Sequence, residues 1–252
     1  MNYCQAEWYD AVAQEYWRET KPLLLDVLQP WSGETGLAAD IGAGTGLTTQ
    51  LLATVCRGEV LACEPEEAMR VGIMSKIAGE DDMRRRVTIA PWTVHDLVRT
   101  VDEPITLITA ISMIDHLLPS ERAELLQWAA AHLIPKGALI IGPYEDTGAP
   151  NTRDNGVTTP MQDEKLGNCY TSEYVGRFRY EGWAKLDDSH QHTRWLMTWQ
   201  LYEGDSLLEQ RSSDFIVYPT SRQELINQAE DAGLVARSDG TFVVLQPQIE
   251  VS

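Results

Sequence analysis

The chain has 252 residues, 43% of them apolar, which suits one sizeable α/β domain with an elaboration and excludes a disordered chain. Its 38 acidic against 20 basic residues give a net charge of −18, which disfavours nucleic acid as a partner, because phosphate neutralisation supplies much of that affinity. No run approaches the roughly 20 apolar residues a spanning helix needs, and Cys4, Cys56, Cys63 and Cys169 lack the spacing of a zinc knuckle or a disulfide framework.

Residues 3 to about 18 read as a helix, since Trp8, Val12 and Tyr16 recur at helical spacing, as do Tyr9, Ala13 and Trp17. Residues 22–28 read as a second helix, stopped by Pro30 and Gly33. An apolar run from Leu37 through Asp40 then enters a glycine-rich turn, Gly42-Ala43-Gly44-Thr45-Gly46, and helical spacing resumes at Leu47. Strand, tight turn and helix start together build a site for a nucleoside-bearing ligand. Glycines at 42, 44 and 46 let the backbone turn and let that ligand approach without meeting a Cβ. The next run, 59–63, ends in Glu64, 24 positions after Asp40. An acid at the end of the second strand of such a unit can accept hydrogen bonds from both ribose hydroxyls. Asp40 stands inside the turn, where a carboxylate would repel a pyrophosphate but suit a cationic ligand.

Pro65 opens a helix to about residue 77, and 79–82 is a turn. Arg84-Arg85-Arg86 reads as a solvated helix end, and 87–90 as a short third strand followed by Pro91-Trp92-Thr93. Residues 105–111 are apolar enough for a strand buried on both faces. Its end, Ser112-Met113-Ile114-Asp115-His116, lies where open α/β sheets put their chemistry. His116 reads either as a general base or as a helix-capping residue beside a water-facing Asp115, and the position favours the base. A helix over 119–133 and a strand over 138–142 follow. Residues 145–168 read as a loop. Three antiparallel strands, 174–186, 192–202 and 207–218, then precede a final helix over 221–232 and a closing strand at 242–245. The inserted strands carry Tyr174, Phe178, Tyr180, Trp183, Trp195, Trp199 and Tyr202, interleaved with Arg177, Arg179, His190, His192 and Arg194. They read as a curled sheet that buries aromatics, and also as a lid that shapes an acceptor site.

Asp40-Ile41-Gly42-Ala43-Gly44-Thr45-Gly46 resembles the first motif of class I S-adenosylmethionine-dependent methyltransferases, and Glu64-Pro65-Glu66-Glu67-Ala68-Met69 resembles their acidic loop. The resemblance implies a Rossmann-like, seven-stranded, mostly parallel sheet with helices on both faces and an antiparallel β lid inserted before the last helix. It implies that Glu64 holds the ribose, that the 42–46 backbone lines the methionine portion, and that Met69 packs on the adenine. Asp40, Ala43, Thr45, Pro65 and Ser112 complete this expected S-adenosylmethionine site. Most relatives show an acid after the third strand; here Pro91-Trp92-Thr93 stands instead, so Trp92 is the expected adenine contact, with Thr93 beside it and Asp96 as an alternative. Trp8-Tyr9-Asp10-Ala11-Val12-Ala13-Gln14-Glu15-Tyr16 resembles the cofactor-covering start of small-molecule methyltransferases, which makes Tyr9 and Tyr16 candidates for the core and for catalysis alike.

The layout is similar to glycine N-methyltransferase and the aminosugar N,N-dimethyltransferases. It implies methyl transfer to nitrogen or oxygen of a small molecule, with His116 orienting the acceptor or taking its proton. The rivals are a peptide methyltransferase, a fold that binds the cofactor without transferring methyl, and a nicotinamide-dependent oxidoreductase. The expected organisation is one domain: a helical cover (1–30), a cofactor core (36–143), a lid (168–218) and a closing helix and strand (219–247). No metal, membrane or nucleic-acid partner is expected, and a homodimer is compatible with the reading. The polar, aromatic first residues lack a signal-peptide pattern, so a reduced cytoplasmic location is expected.

Overall fold

The computed structural model describes residues 6–144, 161–188, 192–237 and 240–248. Cys4, His190 and most of the expected 145–168 loop lie outside them. The chain divides into two compact units, Met1–Thr20 with Glu145–Pro219, and Lys21–Tyr144 with Thr220–Ser252. The first helix, α1, spans Ala6–Leu28 without a break and carries Pro22 inside it. This corrects the expected pair of helices. Pro22 removes one backbone donor, yet Leu24 and Leu28 beyond it are fully buried, and their burial holds the downstream turns helical.

The larger unit is built on alternating strands and helices. In order these are β1 (Leu37–Ile41), α2 (Leu47–Val55), β2 (Val60–Cys63), α3 (Glu67–Ile77), α4 (Asp81–Arg86), β3 (Val87–Ala90), α5 (Val94–Thr100), β4 (Ile105–Ile111), α6 (Pro119–His132) and β5 (Leu133–Gly142). Apolar runs too short for helices and buried on both faces make β1, β2 and β4 central: all four residues of β2 and six of the seven in β4 are buried. Each fully buried Leu or Ile contributes about 1.5–3 kcal/mol. Arg84 and Arg85 are exposed and paired with Asp81 and Asp82, as a solvated helix end should be. Arg86 departs from that expectation: its guanidinium donates to the carbonyls of Ala53, Cys56 and Gly58 and so closes the carboxyl end of α2.

The smaller unit holds β6 (Gln162–Asp163), β7 (Gly167–Val175), β8 (Phe178–Asp188), β9 (Thr193–Glu203) and β10 (Ser206–Val217). They form one antiparallel sheet in the order β10-β9-β8-β7-β6, two strands more than expected. Trp8 of α1, fully buried, packs with Ala184, Met197 and Trp199 on this sheet, and the Arg211 guanidinium lies 4.7 Å from its ring.

The chain then completes the first sheet through α7 (Arg222–Asp231), β11 (Leu234–Ala236) and β12 (Val243–Pro247). The seven strands run β11-β12-β5-β4-β1-β2-β3. Only β12 opposes the direction of the parallel set, pairing antiparallel with both β5 and β11. The three-residue β11 went unlocated in sequence because its apolar run is too short to separate from the turn after α7. Among the described residues no helix is long and apolar enough to cross a membrane.

Candidate functional site

The strand order reverses direction between β1 and β4, and open α/β sheets bind ligands at such a point, beyond the carboxyl ends of the strands. There the chain leaves β1 through Gly42, Gly44 and Gly46, whose φ angles are 65°, 55° and 90°. All three are left-handed values that side chains with a Cβ rarely adopt. The turn is pinned from two sides, by Ala43 N–H donating to Cys63 O at 3.0 Å and Gly46 N–H donating to Ala43 O at 2.9 Å. A Cβ at Gly42 would lie 2.9 Å from Met113 Cβ, so the turn also abuts the end of β4.

Glu64 is buried at the end of β2. Its Oε2 accepts from Gly44 N–H at 2.8 Å and its Oε1 from Glu66 N–H at 2.9 Å, so the carboxylate is fixed against the glycine turn. Burial pushes its pKa up, while the two N–H donors pull it down. Each carboxylate oxygen keeps a further lone pair for a ligand hydroxyl. Pro65 is exposed, while Thr45 in the turn and Met69 near the start of α3 are buried.

Asp40 lies deeper. It is 1% exposed and accepts from Thr49 Oγ1 at 2.6 Å and Thr109 Oγ1 at 2.9 Å, so its carboxylate ties β1 to α2 and β4. Burial pushes its pKa up to about 6; the two hydroxyls oppose the rise and the Glu64 charge adds to it. A carboxyl whose folded pKa exceeds its unfolded value stabilises fully below the unfolded value and loses that stabilisation as pH rises through the folded one. The window here runs from 3.8 to about 6 and is worth on the order of 3 kcal/mol. Asp40→Asn is therefore expected to flatten the fall of Tm across this window. A slope unchanged from wild type would contradict the assignment.

At the end of β3, Trp92 is partly buried and packs on the core. Thr93 caps α5: its hydroxyl donates to Asp96 Oδ2 at 2.7 Å, and its N–H donates to the same oxygen at 3.0 Å. Asp96 thus completes a capping box with its Oδ2.

At the end of β4, Ser112 takes φ 55°, the one left-handed residue other than glycine among the described residues, while its N–H donates to Gly142 O at 2.7 Å. Such strain gathers at functional sites. His116 ends a short 3-10 turn and is largely enclosed, and burial lowers its pKa. Asp115 does not simply face water: its Oδ1 accepts from Thr220 N–H at 3.1 Å and lies 4.0 Å from the buried Arg122 guanidinium. Burial raises its pKa against those two partners.

The structure thus brings Gly42, Ala43, Gly44, Thr45, Gly46, Glu64 and Pro65 together at the ends of β1 and β2, with Ser112 at the neighbouring end of β4. Tyr9 and Tyr16 are half-buried on the part of α1 that belongs to the smaller unit, where Tyr9 lies near Tyr170. Sequence reasoning missed Thr49, Thr109 and Arg122. A buried arginine was legible only as position 122 sharing a helical stripe with Leu125, Leu126 and Ala129. Among the described residues no group of three or more His, Cys, Asp or Glu side chains is placed to hold a metal ion.

Residues 39–141 match the family model described as a methyltransferase domain. Carboxy-S-adenosyl-L-methionine synthase of Pseudomonas putida is 26% identical over 159 residues, which cover 61% of this chain and 64% of that protein, just under two thirds of its length. The fold is similar to that of Streptomyces venezuelae DesVI (TM-score 0.66, 14% identity, 89% of each chain). It is also similar to S-adenosylmethionine-bound CalS10, an amino pentose methyltransferase from Micromonospora echinaspora (TM-score 0.65, 16% identity, 91% of each chain). A third similar structure is the sugar N-methyltransferase KedS8 from Streptoalloteichus (TM-score 0.62, 12% identity, 90% of this chain and 84% of that one).

Proposed function

We propose, from the premise that residues 39–141 form an S-adenosylmethionine-dependent methyltransferase domain, that the protein methylates a nitrogen of a small amine-bearing acceptor such as an amino sugar. The observation that carries the reading is the Glu64 carboxylate, held by Gly44 N–H beside a left-handed glycine turn at the reversal point of the sheet. That arrangement fits a nucleoside with a flexible tail: a carboxylate for two ribose hydroxyls, and bare main chain for the amino-acid end. The similarity in fold to a sugar N-methyltransferase and an amino pentose methyltransferase supports the nitrogen choice.

When bound, the cofactor supplies a methyl group activated by a positively charged sulfur. The chain's own work is alignment, exclusion of water and, where needed, proton removal. In this reading Glu64 fixes the ribose, the 42–46 backbone lines the methionine portion, and Met69 and Trp92 border the adenine. His116 acts on the acceptor. Burial holds its imidazole neutral at neutral pH, the form that can take a proton from an attacking amine.

His116→Ala is expected to lower kcat about 100-fold or more while S-adenosylhomocysteine affinity stays within about twofold. In the wild type the low-pH fall of kcat should be centred below 6.5, because burial lowers the His116 pKa. Unchanged turnover in the variant would remove His116 from the mechanism. The reading itself is tested by incubating the protein with methyl-labelled S-adenosylmethionine and a set of amino sugars, amines and phenols, followed by mass spectrometry. A gain of one methyl mass on an amine supports it, and a gain confined to phenols contradicts the nitrogen choice.

A second reading is favoured by one observation, the similarity to carboxy-S-adenosyl-L-methionine synthase. There the cofactor's methyl carbon would give up one hydrogen as a proton and take a carboxyl group from a carboxyl donor added to the incubation, and no acceptor would be methylated. Label retained on a carboxylated nucleoside would identify that outcome.

A further inference from the structure

Two residues past the carboxyl end of β5, Tyr144 sits at the reaction end of the sheet. Ser112 N–H on β4 donates to Gly142 O, which puts the ends of β4 and β5 side by side. The Tyr144 backbone is fixed, since its N–H donates to Thr241 O at 2.8 Å, and its ring packs on the core of the larger unit. Its hydroxyl oxygen is closed off from solvent and has no hydrogen-bond partner among the described residues. A buried polar atom left in that state needs an explanation, since nearly all such atoms in folded proteins are paired. A core tyrosine with nothing to bond is better replaced by phenylalanine, so the hydroxyl has to serve something other than packing.

The groups around it say what. Asp115, Arg122 and Arg222 are the charged residues whose fields reach the phenol. Burial first, and the Asp115 carboxylate second, hold its pKa far above the ordinary tyrosine value, so it stays protonated. Arg222 donates to Gly240 O at 2.6 Å, and the Arg122 guanidinium faces Asp115 Oδ1 at 4.0 Å. Asp115 spends Oδ1 on Thr220 N–H and keeps lone pairs on Oδ2. A neutral hydroxyl in the field of a carboxylate with spare acceptor capacity suits a ligand group with both hydrogens and lone pairs, which is to say a hydroxyl or an amine. A carboxylate or phosphate has no hydrogen to give Asp115.

We propose that Tyr144 is an acceptor-binding residue, its hydroxyl and the Asp115 carboxylate together receiving a hydroxyl or amino group of the acceptor next to the methylated nitrogen. This rests on the methyl-transfer reading above and narrows it to acceptors bearing a second polar group beside the amine, as amino sugars do and simple alkylamines do not.

The test compares wild type with Tyr144→Phe in three measurements: Tm, titration with S-adenosylhomocysteine, and methyl transfer to 2-, 3- and 4-aminohexoses and to propylamine. The expected result is a Tm equal to or above that of wild type, because no hydrogen bond is lost, and S-adenosylhomocysteine affinity within twofold. For the aminohexose that wild type methylates, kcat/KM should fall at least tenfold, chiefly through KM, whereas any transfer to propylamine should not change. A lowered Tm with activity reduced in step would make the hydroxyl structural and overturn the assignment. So would an unchanged kcat/KM in an active enzyme. A wild type that methylates none of these amines overturns the amine reading first and this assignment with it, so the two failures are told apart by the wild-type lane alone.

Discussion

Glu64→Ala should weaken S-adenosylhomocysteine binding by about 100- to 1,000-fold in a calorimetric titration. A carboxylate that accepts two ribose hydroxyls makes two hydrogen bonds to a charged group, each worth about 1.5–3 kcal/mol, and every 1.4 kcal/mol is tenfold in affinity. The effect is not only the lost contact. Gly44 N–H and Glu66 N–H, at 2.8 and 2.9 Å, also lose their acceptor, which frees the glycine turn. Glu64→Gln separates the two causes. It keeps the shape and one acceptor oxygen, so it should retain more affinity than alanine while still falling below wild type. Equal affinity in all three proteins would mean that the carboxylate does not touch the ligand.

Gly44→Val should abolish detectable binding and lower Tm as well. At φ 55° a β-branched residue is strained by roughly 1–2 kcal/mol, and the branched side chain would occupy main chain that the cofactor's tail needs bare. The backbone can relieve the strain only by rotating, which carries the Gly44 N–H away from Glu64 Oε2. Gly44→Ala should show the same signs at smaller size. Binding retained by the valine variant would show that the turn is a structural corner and no cradle.

The glycine turn and the acid beside it were legible because their signals are local. A strand, three glycines and an acid at fixed spacing follow from the chain's own order, and the structure closes them through contacts such as Gly44 N–H to Glu64. What was not legible depends on residues far apart in sequence. Thr109 meets Asp40 across 69 positions, and Thr220 meets Asp115 across 105, so no window of sequence contains either pair. Asp96 shows a local signal that went unread: its spacing from Thr93 is that of a capping box. Pro22 failed in a third way: a local breaker was overruled by the burial of Leu24 and Leu28 beyond it. Tyr144 has no motif, and only the enclosure of its hydroxyl singles it out.

Crystals soaked with S-adenosylhomocysteine would decide the central point. The expected map places both ribose hydroxyls within hydrogen-bond distance of the Glu64 carboxylate, with the amino-acid tail along residues 42–46. Density for the nucleoside anywhere else on a protein whose Glu64 still bonds only Gly44 and Glu66 would contradict it.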